Sequence, residues 1–502
     1  MPRFEYTGFK YAQYPFAYLY KDDNGNKGEK KIHQIIFGDW VGILKPEKTN
    51  GDYLFVRVRG ENGWMHKDDL RDDRVLEIVF LDVGQGDGAL VVTPDDEHII
   101  IDAGLGDNMW RFLKWRYNEF KTEWTFKYAI ASHPDQDHYG GYHFLAGEPN
   151  VFFNEFLHNG LLEYQKNIKP SYFGETEKTD RTYYTELFDS KQKVIDYLAH
   201  EPNWKHPSGN EQWDKNYAKL LKRMLDNNKI NGEIRMLSEA DKYLDGFEKD
   251  KTLNIQVLGP VTETVNGKKA LRSLGNKGKT KNGHSIVFKL NYKDINIFLG
   301  GDLNIKAEEF LMEKHTGMKL DFNSATEENE FIENARRFFE TDVSKACHHG
   351  SADFTSLFLR CLNSVATVIS SGDEEQHSHP RPDTLGAIGV NGRGDRPLIF
   401  STELARSHRE DERKTLSEIN ELEIKLATAT TNARRLKLID QIQEKNEKLK
   451  ERNVTVYGSI NLRTDGERCI IAQKLEKGGG SKVWDIYKLE KNNMGRFKYV
   501  PK

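Results

Sequence analysis

Four residues of metal-binding type fall within six positions of this chain, where a buried strand should end. The stretch ASHPDQDHYGG, residues 131–141, carries His133, Asp135, Asp137 and His138. The apolar run before it reads as a strand that delivers these side chains into one loop. In extended backbone, residues i and i+2 point the same way, so His133 and Asp135 can share one cation. Asp137 and His138 can turn onto a second as a helix begins. Two divalent ions about 4 Å apart would bridge a water, lower its pKa and clamp a phosphoryl or carbonyl group. The bland alternative is a solvated acid–histidine loop, and four ligand types in so short a span speak against it.

Further ligand types sit at other strand ends. NIFLGGDLN ends a buried strand on Asp302, a candidate bridging carboxylate. KACHHGSADF places His348 and His349, and HSHPRP places His377 and His379. HIIIDAG ends on Asp102, which can orient a ligating imidazole from behind.

The rest of the 502 residues bounds the setting. A chain this long divides into two or more domains. The formal charge of −4 advertises no global basic surface, so any anion-binding surface must be local. Three cysteines without a CxxC exclude a disulfide framework and fit a reducing compartment. With no apolar run long enough to span a bilayer and no basic-then-apolar start, a cytoplasmic location is expected.

Residues 1–76 read as a small β domain of short strands and Gly/Asn/Asp turns. Gly38-Asp39-Trp40, the strand Tyr53–Arg59 and Gly63-Trp64-Met65 resemble a bacterial SH3-like domain, which implies peptide, glycan or domain binding; a packing module without a ligand is the equal alternative. Residues 77–502 follow as a second domain, with mixed helical segments over 142–251. Periodicity predicts helices at 190–200 and 213–227. Residues 405–452 are charged and free of Gly and Pro, with Ile419, Leu422, Leu426, Leu438 and Ile442 in a narrow apolar seam. They predict an antiparallel helical hairpin, either self-contained or a dimer contact.

The order FLDVGQGDGALVVT, IIIDAG, SHPDQDHYGG, HSIVFKL, FLGGD, HHGS, SHP and FSTE resembles the metallo-β-lactamase domain of the ComEC family of DNA-uptake proteins, over roughly residues 77–403. The resemblance implies an α/β fold, an αββα sandwich, here with the small N-terminal barrel and the inserted hairpin. It implies two divalent metal ions (manganese or zinc, with magnesium a third option) and hydrolysis of phosphodiester bonds in DNA. Carried over by residue, the metal ligands are His133, Asp135, Asp137, His138, Asp302 and His349. His348 becomes a neighbour of the substrate, and His379 a contact of the leaving group or phosphate. Asp82, Gln85 and Asp87 order the loop beneath the metals, with Asp102 behind the ligands. Ser351 belongs to the same HHGS element and falls on the substrate side.

Two features depart from the pattern. Position 135 is Asp where most enzymes of this fold have His, and a harder oxygen ligand favours manganese or magnesium over zinc. The third imidazole of the first ion has no clear match; His284, just before the SIVF strand, is either that ligand or a turn residue. Between 266 and 283, Lys277, Lys279 and Lys281 lie in a Gly-containing basic segment without an acid, read as a flexible loop that holds a phosphate backbone or as a solvated surface.

The leading expectation is a metal-dependent nuclease or phosphodiesterase, with Asp137, His348 and His379 as its catalytic side chains. Hydrolysis of a nucleotide second messenger, of a carboxylic ester or lactone, and a non-catalytic scaffold are the alternatives. Nucleic acid is the expected partner as substrate, with a protein partner through the SH3-like domain or hairpin, a homo-oligomer as a further option, and no membrane. The added modules suggest a nuclease held in a complex, as in a bacterial defence system.

Overall fold

The near-continuous apolar runs LEIVF, GALVV, HIIIDA and WTFKYAIA make sense only for strands covered on both faces. The computed structural model describes residues 4–372, 378–402, 409–429, 431–451, 459–479 and 482–501; His377 lies outside them. Alternate residues of these runs divide between two cores. Val79, Leu90, Val92, Ile100 and Phe126 pack under helices. Ile78, Phe80, Val91, Ile99 and Ile130 pack against a second sheet.

Among the described residues, ten strands form the first sheet, in the order Ile234–Met236, Val151–His158, Trp124–Ala131, His98–Ala103, Gly88–Val92, Leu76–Phe80, Ile460–Thr464, Cys469–Gly479, Lys482–Lys491 and Phe497–Val500. The second sheet orders Leu253–Gly259, Val287–Tyr292, Ile295–Leu299, Val343–Lys345, Ala366–Ile369 and Leu398–Ser401. Its outer face carries the helices Ile305–Thr316, Ala325–Phe339 and Ser356–Leu362 on a core with Val287, Phe298, Phe331 and Phe339. Helix, sheet, sheet and helix layers make this an αββα sandwich. No described helix is long and apolar enough to cross a membrane.

The parallel pairings decide where chemistry can occur. Trp124–Ala131 runs parallel to both His98–Ala103 and Val151–His158. In the second sheet, Ile295–Leu299, Val343–Lys345, Ala366–Ile369 and Leu398–Ser401 are mutually parallel. Loops at the carboxyl ends of both groups meet at one end of the sandwich.

Two expectations need correction. The segment 142–251 is not only helices and loops, because Val151–His158 and Ile234–Met236 are strands of the main sheet. Asn154 and Glu155 interrupt the apolar pattern of VFFNEFLH and disguise it. The predicted helices lie at Lys191–Ala199, capped by the Ser190 hydroxyl, and at Asn216–Asp226. The basic segment 266–283 is ordered rather than a flexible loop: it holds the strand Lys268–Arg272 and the helix Lys277–Gly283, capped by Asn276. The charged stretch after residue 405 forms the helices Arg409–Ala427 and Asn432–Glu451, joined at their flanks by Lys445 and Glu418 at 2.5 Å.

The N-terminal strands close on their own core of Leu19, Ile35, Val41, Val56 and Met65. They dock on the C-terminal strands through Ile36, Phe37 and Val75 against Ile470, Trp484 and Ile486. Gln34 Oε1 accepts from the backbone N–H of Val483 and Trp484 at 3.2 and 3.0 Å. Beneath this contact lies a buried charge cluster. Arg116 donates to both oxygens of Glu77 at 2.9 and 2.7 Å, and Arg463 lies 2.9 Å from Glu77 and 3.4 Å from Asp39. Burial alone would raise the Glu77 carboxyl; the guanidinium groups of Arg116 and Arg463 overcome it and hold it at about 2. A carboxylate so depressed stabilises the fold fully above its unfolded pKa near 4.5 and loses that contribution as pH falls toward 2. Glu77→Gln should therefore cost about 3 kcal/mol at pH 7 and flatten the acid limb of stability between these values, read by urea unfolding across pH.

Candidate metal centre

The strand Trp124–Ala131 delivers Ser132 and His133 fully buried, and Asp135 then turns the chain into the short helix Gln136–Tyr139 that carries Asp137 and His138. From the second sheet, Ile295–Leu299 ends in Gly300-Gly301-Asp302, and Val343–Lys345 leads to His348 and His349. These two histidines take left-handed backbone, φ 48 and 54°. That conformation is costly for a residue with a Cβ, about 1–3 kcal/mol each, and here it aims both rings at Asp302.

The carboxylate of Asp302 is the hub. Its Oδ2 lies 3.2 Å from Nε2 of both His138 and His349, and 3.9 Å from Nε2 of His133 and of His348. Asp137 Oδ2 lies 3.6 Å from His349 Nε2. The Nε2 atoms of His133, His138 and His349 and Oδ1 of Asp302 are buried and make no hydrogen bond. One ligand atom each of Asp87, His138, Asp302 and His349 fall within 4.8 Å of one another.

Each ring is fixed from behind. His138 Nδ1 sits 2.8 Å from Asp102 Oδ2, while Asp102 Oδ1 accepts from Ser132 N at 2.7 Å. His349 Nδ1 lies 3.0 Å from Asp87 Oδ1. His133 Nδ1 lies 3.2 Å from Ser285 Oγ. The single proton of that hydroxyl goes to Asn282 O at 2.7 Å, so the oxygen accepts from His133 Nδ1–H and from Asp302 N–H at 3.0 Å. Nε2 of all three rings faces the same small space without a hydrogen-bond partner, where each could ligate a cation.

Electrostatics points the same way. Burial would lower the His349 pKa, but the charges of Asp302 and Asp87 push it up to about 10. His138 is raised well above the ordinary value against its burial, by Asp302, Asp102 and Asp137. A buried centre that demands positive charge this strongly, with lone pairs converging on it, fits a divalent cation.

The loop Leu81–Asp87 lies under the centre. Asp82 Oδ1 accepts from Gly84 N at 3.1 Å, and Asp87 N donates to Asp137 O at 3.2 Å. Gly86 has φ 93°, and a Cβ there would stand 1.6 Å from Asp137 O, so only glycine allows this approach.

Residues 81–151 match the sequence profile of the Metallo-beta-lactamase superfamily. The matched segment holds Asp82, Asp87, Asp102, His133, Asp135, Asp137 and His138, while Asp302 and His349 come from outside it. No curated protein matches the chain. Solved structures similar to it include yeast PDE1 in unliganded form, at 10% identity over 65% of this chain and 98% of that one, TM-score 0.31. The metallo-β-lactamase SMB-1 bound to 2-mercaptoethanesulfonate matches at 12% identity over 54% and 78%, TM-score 0.23.

The remaining expected residues of this centre are placed unevenly. His284, expected either as a ligand or as a turn residue, has its Nε2 2.7 Å from the Arg272 carbonyl, with the ring buried. Lys281 is a buried ion-pair partner of Asp135 and of Glu163 Oε1, the latter at 3.0 Å. Lys277 pairs with Glu163 at 2.5 Å and Lys279 with Asp353 at 3.2 Å. Ser351 is a turn residue, with N donating to His348 O at 2.7 Å and Oγ accepting from Asp353 N. His379 stands at the mouth, its ring centroid 5.7 Å from that of His348.

Ser285, Asn282, Glu163 and Lys345 were not legible as site residues. Buried Lys345 pairs with Asp87, donates to Gly301 O at 3.1 Å and lies 3.9 Å from Asp302 Oδ1. The only sequence signal for it is a lysine inside an otherwise buried strand. If Asp102 fixes the ligating tautomer of His138 and Ser285 holds the Asp302 backbone in place, Asp102→Asn and Ser285→Ala should each weaken Mn2+ binding about 10–100-fold with the fold intact, measured by calorimetry beside circular dichroism.

Proposed function

We propose that this chain is a divalent-metal-dependent hydrolase that cleaves phosphodiester bonds, with DNA as its substrate. The observation that carries the reading is the convergence of three buried, unpartnered Nε2 atoms on Asp302, with Nδ1 of His138 held by Asp102 and Nδ1 of His133 by Ser285. Asp137, His138, Asp302 and His349 would hold the metal, with His133 beside them. A divalent ion held there would supply Lewis acidity, making a water more acidic and drawing charge from a phosphoryl oxygen.

The surrounding side chains suit an anionic substrate. Asp137 is the ligand-set carboxylate that still reaches solvent, and it is placed to take the proton of the attacking water. His348, a quarter exposed, and His379 beside it stand at the mouth, where they can donate to the phosphoryl oxygens and the departing oxygen. On the other side of Asp135 a groove is lined by Gln212, Asn216 and exposed Trp213, whose ring suits a stacked base, while its lysines Lys215, Lys277 and Lys281 are paired with Glu163 and Asp135. Water adds to phosphorus and one ester bond breaks, leaving a phosphomonoester and an alcohol. DNA rather than a small nucleotide follows from the ComEC-like motif order. The N-terminal β unit, read as SH3-like, and the hairpin, with exposed Ile424, Leu436 and Ile439, would serve as contacts for a protein partner.

The test is a screen of the purified chain with Mn2+, Zn2+ or Mg2+ against single- and double-stranded DNA, RNA, a cyclic dinucleotide, and an ester and a lactone. Divalent-dependent DNA cleavage is expected, reduced about a thousandfold or more by Asp302→Asn, some 4 kcal/mol of barrier. Turnover of the ester or lactone with every phosphodiester left intact would sink the proposal.

A further inference from the structure

The metal-binding loop carries ligands for two ions, yet its two halves are not equivalent. On one side, Asp137, His138 and His349 surround Asp302, and the Nε2 atoms of both imidazoles are free of hydrogen bonds. On the other side stand His133, whose Nε2 is likewise free of hydrogen bonds, and Asp135, with Asp302 shared; the difference lies in Asp135.

Asp135 is already taken. Its Oδ1 is paired with the ammonium of Lys281, a buried side chain whose other partner is Glu163. Its Oδ2 accepts from Asn282 at 2.9 Å when that amide is turned with its nitrogen toward its two acceptors, Asp135 and Gly278 O. Lys281 and Asn282 are consecutive residues at the end of the helix Lys277–Gly283, so one element satisfies both oxygens. The third imidazole that a first ion would need is also missing, because His284 is committed to the Arg272 carbonyl. A second divalent ion would then have His133 and a share of Asp302, and it would sit against a fixed ammonium. Like charges at such range in a buried site repel strongly.

We infer that this chain binds one divalent ion, at Asp137, His138, Asp302 and His349, and that the Lys281 ammonium takes the place of the second. The inference rests on the metal-hydrolase reading above and narrows it. Lys281 acts through Asp135 and is a positioning residue. It fixes the loop and supplies a unit positive charge where a two-ion centre would carry a metal.

The experiment is Mn2+ titration of the full chain by calorimetry, with electron paramagnetic resonance of the saturated protein to separate isolated from spin-coupled ions. One site per chain and an uncoupled spectrum are expected for the wild type and for Lys281→Arg. Lys281→Met, and Lys281→Met with Glu163→Gln to remove the carboxylate left unpaired, should bind two ions and show coupling. Asp135→Asn should leave the affinity of the single site within about threefold, because Asp135 is not its ligand. Two coupled ions in the wild type, a hundredfold loss of affinity in Asp135→Asn, or one ion in every folded Lys281 variant would each overturn the inference while leaving a metal hydrolase in place. No bound Mn2+ or Zn2+ in any form would instead remove the metal-hydrolase reading itself. If the Met variants do not fold, the wild-type stoichiometry and Asp135→Asn decide.

Discussion

The Asp302 carboxylate can stand among three buried imidazoles only if two separate sheets bring their carboxyl ends to one point. His133 and His138 come from the first sheet, and Asp302 and His349 from the second. Neither half offers a complete ligand set. The interleaved core of Phe80, Val91 and Ile130 against Phe288, Ile297 and Leu299 fixes the spacing that makes a centre of the two halves. Burial then forces the chemistry: carboxylates and imidazoles so far from water must be compensated, and their free lone pairs converge where a cation would compensate them all. This also explains the strain tolerated nearby. Left-handed His348 and His349 and the close pass of Gly86 over Asp137 O are conformations that packed surroundings can hold and an isolated loop would not.

Charge is handled differently at the far end of the sandwich. Glu77, Arg116, Arg463 and Asp39 are buried where the N-terminal strands dock on the first sheet, and there every acid has a guanidinium partner. Balanced in this way the cluster needs nothing from outside, and its role is to fix the docking. The two ends of the strand Leu76–Phe80 thus hold opposite solutions. One end is closed by matched ion pairs, and the other leads into Leu81–Asp87 beneath a centre that protein atoms leave unsatisfied.

The parts of this arrangement that were readable in sequence are those where residue type and chain neighbourhood carry the message. The loop from His133 to His138 was visible because a buried strand and four ligand types adjoin. Asp102 and Asp302 were visible because each ends an apolar run. What could not be read depends on partners distant in the chain. Glu163 lies more than a hundred residues from Lys277 and Lys281, so a segment without local acids looked like a free basic surface. Ser285 is one hydroxyl among many until its oxygen is seen between His133 and Asp302. His284 failed for a related reason. Its position before the strand Val287–Tyr292 suited a ligand, but the side chain is turned toward the carbonyl of Arg272, at the end of the strand Lys268–Arg272 in a separate sheet, a direction no pattern encodes.

The segment from Asn276 to Ser285 therefore changes meaning most. Asn276 starts its helix by accepting from Lys279 N, Lys281 and Asn282 bind Asp135, and Ser285 holds His133 and the backbone of Asp302. Ten consecutive residues thus touch the first-sheet loop, the second-sheet turn and, through Glu163, the strip of chain after Val151–His158. The charges that looked like a surface for substrate are largely spent inside this strap. What remains for substrate is the groove wall beyond it, and the geometry of the centre depends on a helix that the sequence presents as a loop.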